Sequence, residues 1–265
     1  MLPSVPPPPP VHTGRSAALL LPLCVIGDGM LFAPAACLVA ILAARDRQPV
    51  AMLVWYGLAV GFDAQALLLA PFIGAILIGG RAPWRLLPIA PVLALAMLLA
   101  RGPDSTPALP LPQDIAVSHG APNLWAILGA MPWIGDLPLT GLALTLTLGA
   151  GACYLASFSA RPLARGAVLD AALLCALILP GVAPARDGHA FLLAAGIATV
   201  RALDEPGVAR WWRAALIGAG TAIASIGGAT AAALGGVMLL VATILQARAM
   251  LCPAANDNVA TVRLA

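Results

Sequence analysis

The chain has 265 residues, of which 61% are hydrophobic and 9% charged, and its mean hydropathy is +0.96. A water-soluble domain cannot carry that much apolar surface, so a soluble globular fold is excluded. The net charge is +3, every one of the 14 basic residues is arginine, and no basic cluster interleaves with aromatics, which leaves no nucleic acid among the partners.

In chain order, residues 1–15 come first, with Pro3 and a proline run at 6–10. They favour an extended polyproline arm, lack the basic and apolar regions of a cleaved signal, and are expected to be a disordered cytoplasmic arm. Apolar runs broken by Arg, Pro or Gly follow at roughly 16–27, 29–44, 50–62, 64–80, 86–100, 136–158, 166–182, 189–203, 211–226 and 228–248. They predict an all-α fold, a polytopic transmembrane helical bundle of about eight to ten membrane segments. The bundle forms a single transmembrane domain over residues 16–250, followed by a polar C-terminal tail, 251–265. The pairs flanking Gly27-Asp28-Gly29 and Phe62-Asp63 fall short of the ~20 residues that cross a hydrocarbon core, which points to tilted, kinked or re-entrant pieces.

Residues 124–131, between Pro122 and Pro132, read as a short amphipathic helix whose Trp125 and Trp133 suit a membrane interface. Gly57-x-x-x-Gly61 and the Gly/Ala-rich C-terminal segments, with Gly218, Gly220, Gly227, Gly228, Gly235 and Gly236, let helix backbones approach closely. They serve packing within the bundle or contact with a membrane protein partner. The five cysteines, Cys24, Cys37, Cys153, Cys175 and Cys252, form no CxxC or Cys/His pairing, so neither a disulfide framework nor a zinc site is expected.

Arginine marks cytoplasmic loops. If each segment crosses once and the N-terminus is inside, 12 of the 14 arginines fall on the cytoplasmic side. The outer side keeps Arg101 and Arg186 against Asp28, Asp63, Asp104, Asp114, Asp136 and Asp187. The expected location is the cytoplasmic (inner) membrane, with both termini cytoplasmic and membrane lipids around the bundle. The same arrangement brings Asp28, Asp63, Gln65, the 119–123 loop and Arg186-Asp187-Gly188-His189 out on one face, where they can converge on a single cavity. The longest loop, 101–135, lies on that face too.

An acid inside a membrane segment costs roughly 2.5–3.5 kcal/mol at a helix centre, which makes it a functional candidate. Asp28, with glycine on both sides, leans towards function, while Asp63 is equally a helix cap. His189, beside Arg186 and Asp187, suits acid–base chemistry or an anion, or simply opens a helix from a polar loop. His119 stands near Asn123. Asp170 and Asp136 read as caps or interface charges. No phosphate loop, Ser/His/Asp set or HExxH occurs, so motifs alone name no reaction.

Four stretches in order resemble the C-type, polyprenyl-phosphate-sugar-dependent integral membrane glycosyltransferases. Gly27-Asp28-Gly29-Met30-Leu31-Phe32-Ala33-Pro34 is similar to the family's acidic stretch opening a helix. The run from Tyr56-Gly57-Leu58-Ala59 through Phe62-Asp63-Ala64-Gln65 to Ala70-Pro71 is similar to its Gly-Leu-Ala-x-x-Phe-Lys-x-Gln segment. Ala121-Pro122-Asn123-Leu124-Trp125 resembles its Asn-x-Trp loop, and Pro180-Gly181 to His189-Ala190-Phe191 falls at its His-Glu-Arg-Tyr-like motif. The resemblance covers about residues 20–205 and corresponds to the rear part of such an enzyme, without the front portion that carries the family's usual catalytic acid. Asp63 stands where the family has a basic residue, and Arg186 to His189 keep a different order.

The resemblance implies transfer of a sugar from a polyprenyl-phosphate-linked donor on the non-cytoplasmic face during envelope glycan assembly. Asp28 and His189 would be catalytic, and Asp63, Gln65, His119, Asn123, Arg186 and Asp187 would bind donor or acceptor. Cationic groups or a divalent cation would steady the leaving phosphate. The alternative is a catalytically inactive relative acting as a membrane scaffold or accessory subunit. A transporter is less favoured, because no internal repeat is evident.

Overall fold

The computed structural model describes residues 32–101, 121–129, 139–160, 162–184 and 188–251. The N-terminal arm, segment 16–27, Trp133 and the tail after Leu251 lie outside the described residues. Among the described residues ten α-helices follow one another: α1 Phe32–Arg45, α2 Pro49–Phe62, α3 Ala70–Gly79, α4 Ile89–Arg101, α5 Leu124–Gly129, α6 Leu139–Ser159, α7 Ala167–Val182, α8 Leu192–Asp204, α9 Val208–Ser225 and α10 Ala229–Leu251. Short 3-10 turns stand at Ala64–Leu69, Trp84–Leu86 and Gly188–Phe191. Among the described residues there is no strand. The expected apolar runs and these helices agree within a few residues, because Arg, Pro and Gly punctuate both.

Local chemistry explains the breaks. Pro49 at the first turn of α2 gives up an amide that the helix start would leave unpaired. Asp63 ends α2 in extended backbone, and its carboxylate accepts from the Gln65 amide at 2.9 Å, so it caps the 3-10 turn that leads into α3. Helices α1 and α3 close alike. Gln48 N–H donates to Ala43 (2.9 Å) and Arg47 N–H to Ala44 (3.1 Å), while Ala82 N–H donates to Leu77 (2.9 Å) and Arg81 N–H to Ile78 (3.0 Å). This is the Schellman closure, whose penultimate residue is usually glycine. Here it is arginine both times, with φ of 57° at Arg47 and 51° at Arg81, a conformation costing roughly 1 kcal/mol for a residue with a Cβ. Gly80, one position too early to help, sits in the ordinary helical region.

At the centre runs α7, most of whose residues are buried. It packs on α1, α3, α6, α8 and α10, and the Tyr154 hydroxyl of α6 donates to the Ala171 carbonyl at 2.8 Å. Helix α2 meets α4 through the small residues noted in the sequence: a Cβ on Gly57 would stand 2.7 Å from the Ala90 carbonyl, and one on Gly61 2.5 Å from Met97 Cβ. Helices α9 and α10 touch in the same way, since a Cβ on Gly235 would lie 2.6 Å from the Gly220 carbonyl. Between membrane helices, where lipid tails are as apolar as leucine, it is close packing of this kind more than dehydration that drives association.

Two helices, α6 and α10, are long and apolar enough to cross a membrane, and both are largely exposed. Leu142, Leu148, Leu234, Val237, Leu240 and Ile244 form part of their open apolar surface. The other apolar helices are shorter than the expected span length, 10–17 residues, so the eight to ten membrane segments are not met by length. Trp125 also departs from expectation. It is 1% exposed instead of facing an interface, because its indole N–H donates to the Val182 carbonyl at 2.7 Å and draws the ring inward.

Arginines gather at one end. Arg45 pairs with Asp204 at 2.9 Å and Arg165 with Asp46 at 2.7 Å, joining the α1–α2 turn to α8 and to the start of α7.

Candidate functional site at the polar end

The opposite end of the bundle collects the described parts of the four stretches that carry the family resemblance, 32–34, 56–71, 121–125 and 180–184 with 188–191. The rings of Phe32 and Phe62 lie 4.1 Å apart, so the start of α1 meets the end of α2. Asp63 and Gln65 line a cleft of about 30 Å³ with Ala33, Pro34, Cys37 and Ala190. A neighbouring cleft of about 30 Å³ is shared by Gln65, Ala176, Pro180 and Ala190. Both clefts therefore touch the 3-10 turn Gly188–Phe191, which contains His189. The fourth stretch is tied in by Asn123, whose amide donates to the Ala183 carbonyl at 3.2 Å.

The expected site residues divide accordingly. Asp63, Gln65, Asn123 and the backbone of His189 are brought to one end of the fold. Asp28, His119, Arg186 and Asp187 lie outside the described residues. Asn123 is 1% exposed and its side-chain carbonyl accepts from the Ala126 amide at 3.0 Å, so it caps α5 while its amide holds α5 to the end of α7. The carboxylate of Asp63 is likewise engaged, with the Gln65 amide. Among the described residues no three His, Cys, Asp or Glu side chains converge, and a divalent ion finds no ligand set among them.

A second polar centre was not foreseen. Asp170, read from sequence as a cap or an interface charge, sits in the first turn of α7 and binds Arg201 of α8 at 3.0 Å. Gln246 of α10, fully buried, donates to the backbone and side chain of Asp170, and it accepts from Arg213 of α9. Four helices are thus joined through one hydrogen-bonded cluster at the arginine end. The usable signal was that segments 166–182 and 189–203 run antiparallel with an acid and a base at the same end.

No protein-family model matches the chain, and neither a curated protein nor a solved structure is significantly similar to it.

Proposed function

We propose that the chain is a polytopic inner-membrane protein of the C-type glycosyltransferase kind, transferring a sugar from a polyprenyl-phosphate-linked donor at its outer face. One observation carries this reading. The described parts of four stretches that resemble the family, separated by up to about 150 residues, are joined by contacts at the end of the fold that holds few arginines. The span count rests on the alternation of helices between a polar end and an arginine end, the pattern left when arginines stay cytoplasmic. In this reading Asp28 or His189 takes the acceptor's hydroxyl proton and Arg186 pairs with the leaving phosphate.

A second reading, a relative that no longer catalyses and serves as a membrane scaffold, draws on the size of the clefts. Each of the two at Gln65 holds about 30 Å³, the scale of a single water and far below a sugar. Mass spectrometry of lipid-linked sugars and envelope glycans in a deletion strain separates the two. Loss of one defined sugar, restored by the wild type but not by Asp28→Asn at equal abundance, is the expected result. An unchanged glycan profile would transfer the assignment to the scaffold.

A further inference from the structure

A roomy cavity lies at the other end of the described fold, away from the resemblance. It has a volume of about 650 Å³ and opens between the α1–α2 turn, the end of α3 and the approach to α7. Its rim carries Arg45, Arg47, Arg81 and Arg165, no carboxylate lines it among the described residues, and Met52, Ile76, Leu77 and Val168 make its inner wall apolar. Two of the four charges are answered from behind, Arg45 by Asp204 and Arg165 by Asp46. Among the described residues Arg47 and Arg81 pair with no carboxylate.

Those same two arginines hold the left-handed closures of α1 and α3, where glycine would be relaxed. Glycine stands next to Arg81, at position 80, and is not used for the closure. A fold selected only for stability has no need to place on one rim two guanidinium groups that pair with no carboxylate among the described residues, nor to strain its backbone to do so. We infer that the cavity binds a phosphate-bearing headgroup, with Arg47 and Arg81 as its principal ligands.

The surroundings favour a lipid as the bearer of that phosphate. Val50 and Ile78, beside the rim, are 51% and 56% exposed, which suits acyl chains. Trp84, Trp211 and Trp212 are exposed at the same end, where indoles settle at headgroup level. Arginine pairs with phosphate oxygens through two parallel N–H donors, and basic pockets between membrane helices take anionic headgroups. The inference stands apart from the proposed sugar transfer, which concerns the opposite end.

The test uses the full chain, purified in detergent, stripped of lipid and titrated by native mass spectrometry. The probes are dioleoyl phosphatidic acid, dioleoyl phosphatidylcholine and inorganic phosphate. Wild type should retain phosphatidic acid over phosphatidylcholine, and Arg47→Gln with Arg81→Gln should weaken that binding about tenfold or more. Arg85→Gln with Arg248→Gln removes two exposed arginines outside the cavity and should leave it unchanged. Ala82→Trp, which fills the cavity without altering charge, should also abolish retention, and it decides the matter if the double arginine variant fails to fold. Displacement by micromolar inorganic phosphate would keep the site and assign it to a soluble phosphate ester. Equal weakening by both arginine pairs, or full retention in Ala82→Trp, would overturn the inference.

Discussion

Two nitrogens of Arg201 meet one oxygen of Asp170, Nη2 at 3.0 Å and Nε at 3.1 Å, although 31 positions separate them in the chain. The Arg201 side chain is 8% exposed, so its charge has little water to fall back on. Removing Asp170 leaves Arg201 with Glu205 alone, a half-exposed carboxylate 3.1 Å from its Nη1. Asp170→Ala should cost ~1–3 kcal/mol of stability, less than a fully stranded charge because Glu205 still answers Arg201, and replacing both Asp170 and Arg201 by apolar residues of similar size should cost less. Unfolding of the purified chain in detergent, followed across the double-mutant cycle, measures the difference, and additive losses would remove the coupling.

The glycine contacts separate positions that need glycine from those that merely have it. Gly235→Val should destabilise by ~1–3 kcal/mol or prevent folding, because the Gly220 carbonyl stands 2.6 Å from the new Cβ. Gly218→Ala meets nothing within 4 Å and should be neutral or stabilising by ~0.5–1 kcal/mol. Thermal aggregation of the two variants beside wild type checks the contrast.

Stability and ligand retention should move in opposite directions at Arg47 and Arg81. Replacing either by glycine relieves its left-handed backbone and should raise stability by ~1 kcal/mol. The same change removes a rim charge and should lower phosphatidic acid retention. Melting temperature and lipid retention measured on the same samples test this, and a fall in both would remove strain as the explanation.

Asn123 is expected to act on the fold more than on substrate. Asn123→Ala removes the cap of α5 and its tie to Ala183, a loss of ~1–2 kcal/mol, and Trp125→Phe removes one hydrogen bond, ~1 kcal/mol. Any glycan defect should then track the amount of folded protein. A defect at full abundance would give Asn123 a direct role.

Orientation can be read by labelling. Cysteines introduced beside Asp63 and His189 should react with an impermeant reagent applied from outside, and those beside Arg81 and Arg165 should not. Equal reaction of both sets would contradict the topology proposed here.

Helix positions were legible because arginine, proline and glycine interrupt the apolar runs at the places where the helices end. The dual reading of Asp63 was legible as well, since an aspartate before a helix is a natural cap, and its carboxylate takes that part at Gln65. Trp125 was misread because a six-residue helix can turn an indole either way, and only the Val182 carbonyl decides which. The closures at Arg47 and Arg81 were hidden for a different reason. Left-handed closures are normally announced by glycine or asparagine, and Gly80 announces one a residue before the position that adopts it. The Asp170 cluster needed the mutual placement of four helices, which no local pattern encodes.

The tight reversal at Gly227 and Gly228, both with positive φ, bears on how the chain is made. Helix α9 begins with Arg210, Trp211, Trp212 and Arg213 and is not among the helices apolar enough to cross alone, whereas α10, which packs along it, is. If the proposed topology holds, α9 would wait at the membrane surface during synthesis until α10 emerges. In the membrane topology proposed above, the two would enter as a hairpin, with the glycine pair as its leading tip and the α9 arginines left at the surface they started from.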